Sequence, residues 1–274
     1  MHERDGHAAT VIASFAMTSM RWLRFTRNGT SGFGTLDGDN VRVHRGELFG
    51  ASEPSGEVVP LAEIAWDTPC APTKMVGLLN NFHAALKKSG KAVPGDPLFF
   101  HKAPNTFCAH GAVIPPPRSY PGRVLYEGEL GVVIGKTGRD IPQDAVSEYI
   151  FGYTCVNDIT AFDLLEATPD YAQWTRAKGF DGFGPFGPVI ATGLDPATLT
   201  VRTIINGRER QSYPVSDMVF SPAQLVSLIS RDLTLVAGDV ITCGTSLGVG
   251  PLKPGNTVEV VIDGIGTLGN RYGE

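Results

Sequence analysis

Apolar and polar residues alternate from Arg21-Trp22-Leu23-Arg24-Phe25 onward, and the same period of two recurs in SGFGTL and NVRVH. Asn28-Gly29 and Asp37-Gly38 separate these runs. Both dipeptides accept the positive φ angles of tight hairpin turns, so residues 20 to about 48 are expected to form a β-meander. The next stretch, GASEPSGEVVP, is rich in Gly, Pro, Ser and Glu and is expected to be an exposed connection. A boundary near residue 70 then divides a small N-terminal β subdomain (20–70) from a larger domain (71–274), with residues 1–19 as an extension.

Beyond the boundary the pattern is mixed. Asn80-Asn81 precedes apolar positions 82, 85 and 86, then Lys87-Lys88 and Gly90, which are the start and stop signals of a short helix with His83 in its first turn. Pro115-Pro116-Pro117 excludes helix and central strand. VLYEGELGVVIGK reads as one strand, residues 142–150 as a second helix, and YTCVND as a strand ending at Asp158. GPVIATG, LTVRTIING, DVITCG and NTVEVVI are further strands, and Asp263-Gly264 turns into GIGTL. Ser221-Pro222-Ala223-Gln224 opens a helix through about Ser230, with Ser at the cap, Pro at the first position and Gln three residues on. Strands outnumber helices without regular alternation, which predicts an α+β, mostly β fold.

Composition narrows the class. With 274 residues, 42% hydrophobic and 19% charged, the chain can bury a sizeable core. A net charge of -5 supplies no general field for nucleic acid or anionic lipid, so neither is expected as a partner. Cys70, Cys108, Cys155 and Cys243 form no CxxC pair, which argues against a zinc knuckle or a disulfide framework and favours a reducing cytoplasm. Residues 8–17 are a short apolar run, too short to span a bilayer; they resemble a signal-peptide core or belong to an upstream extension.

Candidate chemistry centres on Tyr126-Glu127-Gly128-Glu129. On one strand, alternate residues project the same way with Cα atoms ~7 Å apart. Two carboxylates at ~6 Å repel by roughly 3 kcal/mol at an effective dielectric of about 20. A hard divalent cation would neutralise them; alternatively they face water on an edge strand or pair with Arg118 or Arg123. Asp158 is a third carboxylate or a turn residue. Gly-rich Thr242 to Gly250 could bring amides to an anion or be a plain turn, and it lacks the P-loop and dinucleotide spacings. Lys178 lies among aromatic and glycine neighbours, where a buried or a solvated cation would both fit. His83 at a helix start would stay neutral and available as a base, whereas the other histidines are surface or packing residues.

These segments, taken together over residues 74 to 270, resemble the fumarylacetoacetate hydrolase family in order: VGLLNNFH, LFFHKAPNT, YEGELGVVIGK, GYTCVNDITA, QWTRAKGFDGFGPFGPVIAT, NGRERQ and LVAGDVITCGTSLGVGPLKPGNTVEV. The resemblance implies a mixed β-sandwich roll, usually a homodimer, with Mg²⁺ or Mn²⁺ held by Glu127, Glu129 and Asp158; Ca²⁺ also suits carboxylate oxygens, and no organic cofactor is implied. It makes His83 the catalytic histidine, Lys178 the lysine near the substrate's oxo and carboxylate groups, and Thr245 the threonine of the substrate loop. Gly244 and Lys102 join them as implied substrate contacts.

Three positions depart from the family pattern. Leu86 replaces a glutamate that orients water in hydrolytic members, Phe162 stands where many relatives carry arginine, and Ser246 replaces proline. Arg176, near Lys178, is a candidate to compensate for Phe162. The expected function is hydrolysis of a C-C bond in a small 2-oxo acid of the acylpyruvate type through a metal-chelated enolate. The alternatives are decarboxylation, isomerisation or dehydration of a related oxo acid, or a catalytically silent protein that binds one.

Overall fold

The structure, a computed structural model, describes residues 19–168 and 170–274. The expectations for the N-terminal extension and its apolar run lie outside the described residues. The fold is mostly β, as predicted, and is built on three sheets of twelve, five and three strands. No helix among the described residues is long and apolar enough to cross a membrane.

The N-terminal meander forms as its turns dictate. Arg21–Arg27, Thr30–Asp37 and Asn40–Gly46 pair antiparallel in sequence, with Asn28 and Gly29 at φ 52 and 75 in the first reversal. Arg21 and Trp22 also pair with Ala191 and Ile190, so the meander continues the twelve-stranded sheet. The Gly, Pro and Ser-rich segment corrects the expectation of a loop: Ser52–Pro60 is a strand paired with Asn40–Gly46. It lies at the sheet edge, where prolines need no ladder partner on the open side.

VLYEGELGVVIG divides into two strands. Val124–Tyr126 pairs in the three-stranded sheet, whereas Gly128–Ile134 lies inside the large one between Ile150–Asn157 and Val240–Thr242. Every residue of Gly128–Ile134 is buried, which explains its unbroken apolar run. Leu130, Val132 and Ile134 are fully buried, each stabilising the fold by about 1.5–3 kcal/mol. Glu127 occupies the crossing between the two sheets.

Two helix expectations need correction. The first helix is His83–Ser89 with Phe82 at its cap; Asn80 takes a left-handed φ of 53 and Asn81 turns inward. Residues 142–150 hold only the 3-10 turn Val146–Glu148. Its bonds run i to i+3, and Ser230 and Ser227 take the Ile141 N–H and C=O where a longer helix would begin. The predicted capping box is present: Gln224 N–H donates to Ser221 Oγ, and Ser221 N–H donates to Gln224 Oε1, opening the helix Pro222–Asp232. Ser221→Ala is expected to lower stability by about 1 kcal/mol in urea unfolding.

Candidate metal centre

The sheet crossing assembles three carboxylates. Gly128 is the register partner of Asn157, so the residues beside them, Glu127 and Asp158, meet at the strand ends. Asp158 N–H donates to Glu127 O at 2.8 Å, and Glu127 N–H donates to Asn157 Oδ1 at 3.0 Å. These bonds satisfy backbone groups that the change of sheet takes out of the ladder. One oxygen from each of Glu127, Glu129 and Asp158 lies within 4.8 Å of the others.

Two lysines, not the upstream arginines, face this negative charge. Arg123 instead pairs with Asp163 and covers the Phe162 ring, its Cζ 4.8 Å from the centroid. Lys102 Nζ donates to Asp158 Oδ1 at 2.6 Å, to Lys178 O at 2.9 Å and to Ile159 O at 3.4 Å. Lys178 Nζ donates to Glu127 Oε2 at 2.8 Å and to Asp158 Oδ2, and lies 4.8 Å from the Phe100 ring centroid. An ammonium has three N–H groups, so Lys102 is fully committed within the protein while Lys178 retains one.

The acids respond differently to this asymmetry. Burial pushes the Asp158 carboxyl up, but the Lys102 and Lys178 charges outweigh it and hold the group below the usual range. Burial would lower Lys178, yet Asp158 and Glu127 raise it above an ordinary lysine. Glu127 is raised by burial, with Lys178 opposing. Glu129 is raised furthest, by burial and then by the charges of Asp158 and Glu127.

Glu129 also provides the test of fit for a cation. Its Oε2 accepts from Thr242 Oγ1 and, at 2.7 Å, from Gly244 N–H, whereas its buried Oε1 has no hydrogen-bond partner. An unpartnered carboxylate oxygen beside two further carboxylates, with no sulfur or imidazole in the set, suits a hard divalent ion such as Mg²⁺, Mn²⁺ or Ca²⁺. The three residues fit such an ion. Glu127 forms the open side: its side chain is 16% exposed, against 0% for Asp158.

Around Thr245, two further side chains, Gln211 and Tyr213, fix the geometry and were not singled out by sequence reasoning. Gln211 accepts from Gly128 N–H at 3.0 Å and from Thr203 Oγ1 at 2.8 Å, and donates to Thr245 Oγ1 at 2.9 Å. Thr245 Oγ1 in turn donates to Gly128 O at 3.0 Å, as does the Tyr213 hydroxyl. Gly128 is required at this meeting point, because a Cβ there would lie 2.0 Å from Thr203 Oγ1. The available signal was alternation: Arg208–Pro214 buries only Gln211 and Tyr213 among exposed charged and polar neighbours.

The remaining candidates lie around this frame. His83 is exposed at the first position of its helix. Its neighbours anchor it: Asn81 Nδ2 donates to Cys243 O at 2.9 Å, beside Gly244, and buried Phe82 packs on Tyr213 with ring centroids 4.8 Å apart. Thr245 is tied to the frame by its hydroxyl, and Gly244 uses its N–H on Glu129. Lys102, expected among the substrate contacts, is instead 0% exposed behind Asp158. Arg176 is exposed on the short helix Trp174–Lys178, two residues from buried Lys178, a spacing that sends side chains to different faces.

Three clustered carboxylates backed by two buried lysines, set where the chain passes between two sheets, form the candidate centre of this fold. Residues 74–272 match the fumarylacetoacetate (FAA) hydrolase C-terminal family and residues 20–69 the Rv2993c-like N-terminal family, and the chain belongs to the fumarylacetoacetate hydrolase family. It is 36% identical over 256 residues to the oxaloacetate tautomerase YisK of Bacillus subtilis (strain 168), covering 86% of this chain and 84% of that one. It is 41% identical over 181 residues to the 4-hydroxyphenylacetate degradation bifunctional isomerase/decarboxylase of Salmonella dublin, covering 65% of this chain and 42% of that one. The crystal structure of 2-hydroxyhepta-2,4-diene-1,7-dioate isomerase from Mycobacterium marinum superposes with a TM-score of 0.84 at 35% identity, over 93% of this chain and 98% of that one.

Removing one partner of the buried Lys102–Asp158 pair should be costly. Lys102→Met is expected to destabilise the protein by about 3–5 kcal/mol in metal-free urea unfolding. An unchanged transition midpoint would show that Asp158 does not depend on this lysine.

Proposed function

We propose that this enzyme moves a proton within a small 2-oxo acid, interconverting keto and enol forms or double-bond isomers, at a divalent cation held by Glu127, Glu129 and Asp158. The observation that carries this proposal is the buried triad with an unpartnered Glu129 Oε1. A cation bound there supplies a Lewis acid for the oxo and carboxylate oxygens of the substrate.

The chain's own residues supply the rest. Lys178, with one N–H unused, holds positive charge beside the substrate's developing oxyanion. Lys102 orients Asp158 from behind. Glu127 lines the side from which the substrate enters. His83, exposed on a helix start that Asn81 and Phe82 anchor beside the triad's supports, accepts and returns the proton at carbon. One of the sequence departures favours proton transfer over hydrolysis: Leu86, buried one turn after His83, offers no acceptor to orient water. The tautomerase and isomerase names of the relatives support the same choice.

The test is a substrate panel in Mn²⁺ or Mg²⁺ containing oxaloacetate, acylpyruvates and dienoic oxo-diacids, with products resolved by mass. The expected outcome is a mass-neutral product and exchange of solvent deuterium into the substrate, falling by about 100-fold or more in Glu127→Ala and in chelator-treated protein. Cleavage with uptake of water would instead assign the hydrolase activity, release of carbon dioxide a decarboxylase, and tight binding without turnover a binding protein.

A further inference from the structure

A concavity of about 610 Å³ opens at the edge of the five-stranded sheet, lined by Tyr126, Asn206, Arg208, Arg210, Lys253 and Asn256. None of these side chains belongs to the carboxylate centre. Arg208 and Arg210 both line the hollow from an edge strand whose pairing register shifts at Arg210, which has no register partner between Glu209 and Gln211. Lys253 arrives from the turn between Gly250–Leu252 and Asn256–Ile262. Among the described residues no carboxylate forms an ion pair with any of the three cations.

The asparagines sharpen the chemistry. Asn206 Oδ1 accepts from Thr257 N–H at 2.8 Å, and Asn256 Oδ1 accepts from Lys253 N–H at 2.9 Å. With both carbonyl ends taken by backbone, the ends left for a ligand are amide donors. Among the described residues the hollow therefore combines three cations without ion-pair partners, two asparagines whose carbonyl ends are bonded to backbone, and no acidic side chain, in a chain of net charge -5. Basic residues on a sheet edge guard against edge-to-edge pairing, but that role needs neither the lysine from a separate turn nor the fixed asparagines.

The floor of the hollow connects to the Gly244 to Gly250 loop. The Tyr126 hydroxyl donates to Gly248 O at 2.8 Å, and Gly248 lies against the strand at Arg210, where a Cβ would come 2.2 Å from Arg210 O. The other end of the same loop gives the Gly244 N–H to Glu129. Arg210 faces the hollow while its neighbour Gln211 faces Gly128 and Thr245.

We propose that this hollow is a second binding site, separate from the carboxylate centre, for a small anion carrying two or more negative charges: a di- or tricarboxylate or a phosphate-bearing compound. Occupation neutralises Arg208, Arg210 and Lys253 together and steadies the loop from Gly244 to Gly250. A monovalent anion would satisfy one cation and leave the other two repelling.

The test titrates the full chain, in metal-free buffer, with citrate and separately with pyrophosphate, by calorimetry and by thermal unfolding. Sodium chloride at matched ionic strength is the control. The expected result is saturable one-to-one binding and a raised Tm with at least one of the two, the stronger identifying the carboxylate or phosphate source. Affinity should fall on the order of tenfold in Arg210→Ser and in Lys253→Gln, and vanish in the Arg208→Ser, Arg210→Ser, Lys253→Ser triple variant. Binding should persist in Glu129→Gln, so failure of the metal assignment would leave this result standing. Equal stabilisation by sodium chloride, undiminished binding in the single variants, or no saturation at millimolar anion would overturn the proposal.

Discussion

Three carboxylates cannot share a buried volume unless something opposes their repulsion, and that constraint organises this molecule. At separations within 4.8 Å each ionised pair repels by about 3.5 kcal/mol or more at an effective dielectric of about 20. Lys102 and Lys178 oppose this from the protein side, and both are themselves buried. A fully ionised cluster of three acids and two ammonium groups still carries one net negative charge. A divalent ion turns that into one net positive charge, and a monocarboxylate substrate would then bring the centre to neutrality.

The fold meets the constraint by changing sheets in the middle of the acidic motif. If the strand from Val124 to Ile134 ran unbroken, the Glu127 backbone would sit in a ladder; the crossing instead releases it to bond Asn157 and Asp158. Gly128 then becomes the hub between the two glutamates. Its N–H is held by Gln211 and its carbonyl by Thr245 and Tyr213, so the loop that carries Thr245 and the two glutamates share one hydrogen-bonded hub.

Much of this was legible in local sequence. The Asn-Gly and Asp-Gly turns, the Ser221 capping box and the buried run GELGVVIG each express a short-range rule, and each appears in the structure. The glutamate pair was visible because a doubled acid next to an unbroken apolar run contradicts ordinary burial. Local rules failed where distant groups compete for the backbone: Ser227 and Ser230 withhold the start of a helix near residue 142, and pairing with Asn40–Gly46 draws the proline-rich segment into a strand. Gln211 and the different positions of Lys102 and Lys178 depend on which face of which strand meets which neighbour. A single sequence does not state that.

The site thus has a fixed half and an adjustable half. The carboxylates, both lysines, Gly128 and Gln211 are locked by mutual bonds, and a change in any of them leaves a buried polar group unpaired. His83 belongs to the other half: its helix is attached through Asn81, through Phe82 and through the Ala84 N–H donated to Asp217, none of which touches a carboxylate of the triad. Leu86 and Phe162 also lie outside the locked network. Substitutions on this half leave the hydrogen bonds among the carboxylates, the lysines, Gly128 and Gln211 in place. Relatives named as a tautomerase, an isomerase and a bifunctional isomerase/decarboxylase match this same chain, so the fold by itself does not select one reaction.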